Sequence, residues 1–234
     1  PGVRERRVRL SRARRILAPP VLLVAALALS ACQSTQDKAE EVQQRAAELV
    51  ASQVPLEIPK ANKDVKVVGT TLLSDENGSV VAVELQNTTK ETLLGVPILI
   101  SVRDAKGKEI FINDAYGTEF ALQHVPMMKS GETVTWVHDQ ILTAGEPEDV
   151  KVTVGQPTAV NPRQVPEIVL GAAKIAADPI GVVARGRASN KSAVNQKDLV
   201  MFAVARRGNE IVAAGRGAFK NLKAGKSQRY NIYF

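Results

Sequence analysis

From Val65 onward the chain is a succession of short β-branched runs, each closed by glycine, asparagine or aspartate. Such punctuation predicts many short strands. They are expected over Val65 to Leu73, Ser79 to Gln86, Leu94 to Arg103, Lys108 to Asn113, Gly117 to His124, Thr133 to Leu142 and Asp149 to Val154. In the second run Val81, Val83 and Leu85 share one face, with Ser79 and Glu84 off it, the pattern of a strand with one wet face. Asn77-Gly78 and Lys106-Gly107 mark tight turns, the second a hairpin. Seven short strands at this spacing predict a β-sandwich over residues 61–156.

Residues 157–164 hold Pro157, Asn161 and Pro162 and read as a linker. A second β-rich unit over 165–234 follows, with strands at Glu167 to Ala173, Gly181 to Ala188, Asp198 to Arg206, Glu210 to Arg216 and Ser227 to Phe234. The two units repeat one pattern. Asn87-Thr88, Ile98 to Val102, Gly107, Ile110-Phe111 and Lys129-Ser130-Gly131-Glu132 in the first answer to Asn190-Lys191, Val200 to Val204, Gly208, Ile211-Val212 and Ala224-Gly225-Lys226-Ser227 in the second. Asparagine to hairpin glycine spans 20 residues in one and 18 in the other. The extra length before Gly131 is an insertion in the first copy.

On these residues the sequence resembles the small immunoglobulin-like modules of bacterial exteriors known as FxLYD, in which an Asn-Ser or Asn-Thr turn ends one strand, a central strand follows, and a Pro-Gly or Lys-Gly type turn introduces the last. The resemblance covers about 65–155 and 165–234. In the second copy Val200 to Arg206 stands where that family has an aromatic-Leu-Tyr-Asp end to its central strand. The fold class it implies is all-β, two immunoglobulin-like β-sandwich domains preceded by a signal peptide and a short amphipathic helix.

Residues 1–31 carry seven arginines against one glutamate, then Pro19-Pro20, the apolar run Val21 to Leu29, Ser30 and Ala31. That order matches an export signal. The apolar run is about half the roughly twenty residues a membrane span needs. Leu29-Ser30-Ala31-Cys32 resembles the lipobox of bacterial lipoproteins, which implies cleavage before Cys32 and lipid on its thiol. Cys32 is the chain's one cysteine, so no intramolecular disulfide is possible, and lipidation removes a free thiol from an oxidising exterior. Arg14-Arg15-Ile16-Leu17 resembles a twin-arginine signal, although arginine is abundant throughout this stretch and general secretion is expected. The chain opens with Pro1 rather than methionine, so its true start is expected to be missing or trimmed. After Cys32, residues 32–60 read as a tether and spacer: Asp37 and Glu40 form a capping pair, and Ala39, Val42, Ala46, Leu49 and Val50 recur at helical spacing up to Gln53. Gln33 is not the aspartate that marks inner-membrane retention in Gram-negative cells, so the outer membrane is the expected address if the host has one.

The whole chain has 31 basic and 24 acidic residues, a balance that invites a nucleic-acid reading. The leader contributes +6 of the net +7, so no nucleic-acid partner is expected. What remains is uneven. Residues 32–164 hold 12 basic against 19 acidic residues, and residues 165–234 hold 12 against 4. Arg185 and Arg187 alternate along one expected strand, and Arg216, Lys220, Lys223, Lys226 and Arg229 extend the same basic face if neighbouring strands pair. Such a face suits anionic lipid or an acidic wall polymer; the competing explanations are that arginine is simply the preferred soluble surface residue here, or that the basic unit docks on the acidic one.

Catalytic patterns are sparse. His124 with Met127 and Met128 has the donor types of a soft-metal site, against packing of the two methionines as gap-fillers; with no second cluster, no metal or other cofactor is expected. There is no Gly-x-Ser-x-Gly elbow, and His138-Asp139 fall on opposite faces of an expected strand. Gly215-Arg216-Gly217 lacks a phosphate-loop context, and Trp136 and Tyr230 are expected in the cores. The sequence thus predicts a non-enzymatic, lipid-anchored protein of the extracytoplasmic membrane face that works by binding. The rival roles are a structural subunit with an envelope protein partner and a copper or small-molecule carrier.

Overall fold

A computed structural model describes residues 54–76, 78–161 and 165–234. The expected signal peptide, Cys32, the helix over 37–53 and Asn77 lie outside them. The described chain is all-β and falls within one compact unit, Gln53–Phe234. In chain order its strands are β1 (Val65–Asp75), β2 (Gly78–Asn87), β3 (Leu93–Arg103) and β4 (Glu109–Ile112). A single helical turn, α1 (Phe120–Gln123), leads into β5 (His124–Met128), β6 (Thr133–Ile141), β7 (Asp149–Val154) and β8 (Ala159–Val160). Then come β9 (Ile168–Leu170), β10 (Lys174–Asp178), β11 (Gly181–Asn190), β12 (Gln196–Arg207), β13 (Glu210–Leu222) and β14 (Ser227–Tyr233).

All pairings are antiparallel. One sheet has the order β1-β2-β6, and β3 is the centre of a second, flanked by β4 and β5 along one edge and by β7 and β8 along the other. Between them lies the first core, with Val81, Val83, Leu85, Ile98, Ile100 and Trp136. The sheet β10-β11-β14 repeats the order β1-β2-β6, with β9 pairing the end of β11. It faces the hairpin β12-β13 across a second core of Ala184, Ala188, Met201, Phe219 and Ile232.

The β12-β13 hairpin is covered on both faces. Its other side meets the β1-β2-β6 sheet through a third cluster, Ala82 and Val137 against Ile211 and Ala214, with Phe202 and Val204 packed beside them. This explains why Leu199 to Ala205 is an unbroken apolar run: a strand packed against on both faces has no fully wet side to alternate toward. It also corrects the half-wet reading of β2. Ala82 is as buried as Val81 and Val83 because the hairpin covers it, and Ser79 lies on the face of Val81, where its hydroxyl meets that of Ser74.

The two repeats share one hydrogen-bonded knot. Asn87 is fully buried; its Nδ2 donates to the carbonyls of Glu91 and Lys129, and its Oδ1 accepts the Thr89 N–H. Asn190, equally buried, donates to the carbonyls of Val194 and Leu222 and accepts the Ser192 N–H. Gly131 and Gly225 make the turns before β6 and β14 at φ 68° and 65°, in the left-handed region that favours glycine.

Other expectations move. Gly117 to His124 is not a strand: α1 buries Ala121 and Leu122, and its carbonyls are held by Trp136 Nε1 (2.7 Å to Ala121 O) and Asn113 Nδ2 (2.8 Å to Leu122 O). That turn splits into β4 and β5 what β13 carries as one strand in the second repeat. Glu167 to Ala173 shortens to β9, and the chain turns at Gly171 to make β10, for which no strand was expected. In the segment read as a linker, Ala159–Val160 pair with Leu94 and Leu93, and the Thr158 N–H bonds Leu94 O, so the β3-centred sheet of the first repeat runs past 156.

Candidate functional site

The seven basic residues expected to share a face divide among three places. Arg185 and Arg187 stand on the outward side of β11, because Ala184 and Ala188 point into the second core. Register places Lys174 opposite Arg185 and Arg229 opposite Arg187. Four cations therefore lie in a row across β10, β11 and β14, as two directly opposed like-charge pairs, an arrangement that costs stability. One carboxylate answers them. Asp178 Oδ2 accepts from Arg185 Nη2 at 2.7 Å and from the Tyr233 hydroxyl at 3.1 Å. The backbone N–H of Ile180, above all, holds the Asp178 carboxyl below its usual range, with Tyr233, Gly181 and Arg185 adding to it. Among the described residues no carboxylate pairs with Lys174, Arg187 or Arg229.

Lys220 lies near the end of β13, exposed, and Lys223 and Lys226 flank the turn into β14. Register sets none of these three opposite a member of the row. Arg216 does not belong to it. Alternation along β13 turns Gly215 and Gly217 toward β14, where a Cβ on Gly215 would run into the Tyr233 carbonyl and one on Gly217 would stand 2.8 Å from Ile232. Arg216 therefore points the other way, into the first repeat, with its side chain 9% exposed. Its Nη1 reaches Glu119 at 2.7 Å and its Nε reaches Asp139 at 3.1 Å. Burial works against its charge, and the hydrogen bond to Glu119 with the charge of Asp139 more than restores it, so its pKa lies above the ordinary value. Arg206 makes a second tie, 2.6 Å to Glu84. Part of the charge asymmetry is thus consumed in joining the basic repeat to the acidic one.

His124, Met127 and Met128 all fall on β5 but do not converge. Met128 is fully buried in the first core, while its neighbour Met127 lines a groove on the opposite side. The His124 ring stacks on Phe120 at 4.2 Å, and burial lowers its pKa. His138 is a core residue, 2% exposed, with its ring edge-on to Phe111 and Trp136 and its Nδ1 accepting the Gln140 N–H at 3.4 Å. Burial first, and the nearby Arg216 charge second, push its pKa down to about 4. It is neutral at physiological pH and has no solvent access for proton transfer. Trp136 and Tyr230 belong to the first and second cores, as expected.

Reasoning from sequence missed Lys174, because β10 was not foreseen, and missed Arg206. The latter left a signal: it follows Phe202 and Val204 at strand spacing on a face that packs against the first repeat.

Fold and surface together define an all-β protein of stacked antiparallel sheets, with a cationic outer sheet at one end. No family model matches the chain, and no curated protein sequence matches it.

Proposed function

We propose that this protein is a non-catalytic adaptor of the bacterial cell envelope, anchored by lipid on Cys32 and docking on an anionic lipid or wall-polymer surface through the outer face of β10-β11-β14. The observation that carries the reading is the row Lys174, Arg185, Arg187 and Arg229. Two opposed like-charge pairs on an exposed sheet face, of which only Arg185 has a carboxylate partner among the described residues, are unfavourable for folding and favourable for holding an anion. The anchor rests on the lipobox-like Leu29-Ser30-Ala31-Cys32; lipid with more than one acyl chain is needed for stable retention.

The test is sedimentation of residues 33–234 with anionic or neutral liposomes, or with purified wall polymer, at low and high salt. Each basic residue near an anionic surface contributes about 1 kcal/mol, so Arg187→Glu with Arg229→Glu is expected to weaken binding by at least ~30-fold. Binding that ignores salt or the double substitution, or no binding to either anionic surface, refutes the docking face. A second reading, a subunit joined to other envelope proteins through a sheet edge, is favoured by β12, which pairs with β13 alone among the described residues.

A further inference from the structure

Comparing the two repeats shows a strand that one has and the other lacks. In the first, β3 is paired along both edges, with β4 and β5 on one side and β7 and β8 on the other. Its counterpart β12 pairs with β13 alone among the described residues. Yet β12 has the composition of a central strand: Leu199 to Ala205 are all apolar, with neither glycine nor proline, and both faces are covered. Edge strands of soluble proteins are ordinarily short, charged, bulged or covered. This one presents unpaired backbone N–H and C=O groups along an edge whose apolar side chains are buried or half-buried on both faces.

A groove of about 590 Å³ runs along that edge. Seven consecutive residues, Gln196 to Phe202, line it, which requires the groove to follow the strand's edge rather than one of its faces. Ile168 and Leu170 of β9 form one wall, and Pro126 and Met127 of β5 help form the other. Walls stand on both sides of the edge, an arrangement that suits one extended segment better than the sheet edge of a second folded copy. The tether over 33–53 is a poor occupant, being rich in Ala, Gln and Glu.

The first repeat shows what the edge accepts. β7 enters with Glu148 and Asp149 at the Arg103 end of β3, register placing Asp149 opposite Arg103, and then presents Val150, Val152 and Val154 at alternate positions. The matching end of β12 carries Arg207, which makes no ion pair among the described residues, with Glu210 opposite it across the β12-β13 turn. We propose that the open edge of β12 is a strand-receiving site. It takes one extended segment of a partner protein, antiparallel to β12, with an acidic residue at its amino end near Arg207 and aliphatic side chains at alternate positions. Backbone hydrogen bonds supply affinity, and the apolar walls select the side chains. The proposal rests on the adaptor reading and names the kind of partner an adaptor of this build joins.

The probe is a synthetic peptide with the sequence of residues 148–156, Glu-Asp-Val-Lys-Val-Thr-Val-Gly-Gln, added to residues 33–234, which contain the whole compact unit. Hydrogen exchange is read residue by residue by NMR. Without peptide, alternate amides between Leu199 and Val204 exchange fast; at saturation they slow at least about tenfold. A peptide with proline in place of Val152 gives no protection. Leu170→Glu, at a wall position 54% exposed and so tolerant of charge, abolishes the effect. Three results overturn the proposal: unchanged β12 amides at millimolar peptide, protection that survives Leu170→Glu, or edge amides already protected in free protein, which would mean that this chain or a second copy fills the site. No membrane or polymer is present, so failure here leaves the liposome result standing, and the converse holds.

Discussion

His138 makes the fold acid-sensitive by an amount that its burial sets. Its ring sits in the first core with a pKa of about 4, against an ordinary 6.5. Between those values the unfolded chain binds a proton that the folded chain refuses, so stability rises with pH across this window and falls as pH drops from about 6.5 to about 4. At ~1.4 kcal/mol per pH unit the loss amounts to about 3 kcal/mol, complete near pH 4 and constant below it as far as this group is concerned. A domain of this size has a total stability on the order of 10 kcal/mol, so the loss is readily measured. Urea unfolding of residues 33–234 is followed by Trp136 fluorescence from pH 7.5 down to pH 4, for the wild type and His138→Phe. Phenylalanine keeps an aromatic ring between Phe111 and Trp136 and cannot titrate. Carboxylates contribute equally to both proteins, so the difference between the two curves isolates the histidine. Parallel curves would refute the reasoning, because they would mean that His138 gains its proton in the folded state as readily as in the unfolded one.

Arg216→Met leaves Asp139 and Glu119 without their cation; both are partly solvated, so the expected cost is about 2 kcal/mol rather than the 3–5 of a fully buried pair, read as a lower urea midpoint at unchanged slope. The same substitution removes a positive charge near His138 and is expected to move the imidazole pKa upward, which an NMR titration of its ring protons checks. Asn87→Ala and Asn190→Ala each strand buried backbone groups and are expected to cost about 2–3 kcal/mol, measured by the same unfolding assay; a loss below about 0.5 at either position would show that the knot is not structural there.

Much of the sheet architecture was legible because its determinants are local. β-branched runs, the Lys106-Gly107 hairpin and the paired asparagines each act within a few residues of themselves, so the matching of Asn87 to Asn190 survived from sequence to hydrogen-bonded knot. Contacts reaching across the chain were not legible. Charge counting raised the docking of the basic repeat on the acidic one, but Arg216 and Asp139 stand 77 residues apart, and nothing near either names the other. Grouping Arg216 with Arg187 assumed that one sheet carries both; β13 and β11 belong to different layers, and the glycines flanking Arg216 decide which way it points. Met127 and Met128 show the reverse case: strand alternation alone sets neighbours on opposite sides, and the position of β5 was the missing piece. α1 escaped because its one turn is stabilised by Asn113 and Trp136 from elsewhere in the fold, not by any helical pattern of its own.

The β12-β13 hairpin sits where a separator between two modules would be expected, yet its two sides complete two different cores. Neither repeat can shed the hairpin without uncovering apolar surface in the other, so the sequence duplication does not imply independent melting. The described body is expected to come apart in one cooperative transition, with both repeats losing their cores together rather than one and then the next.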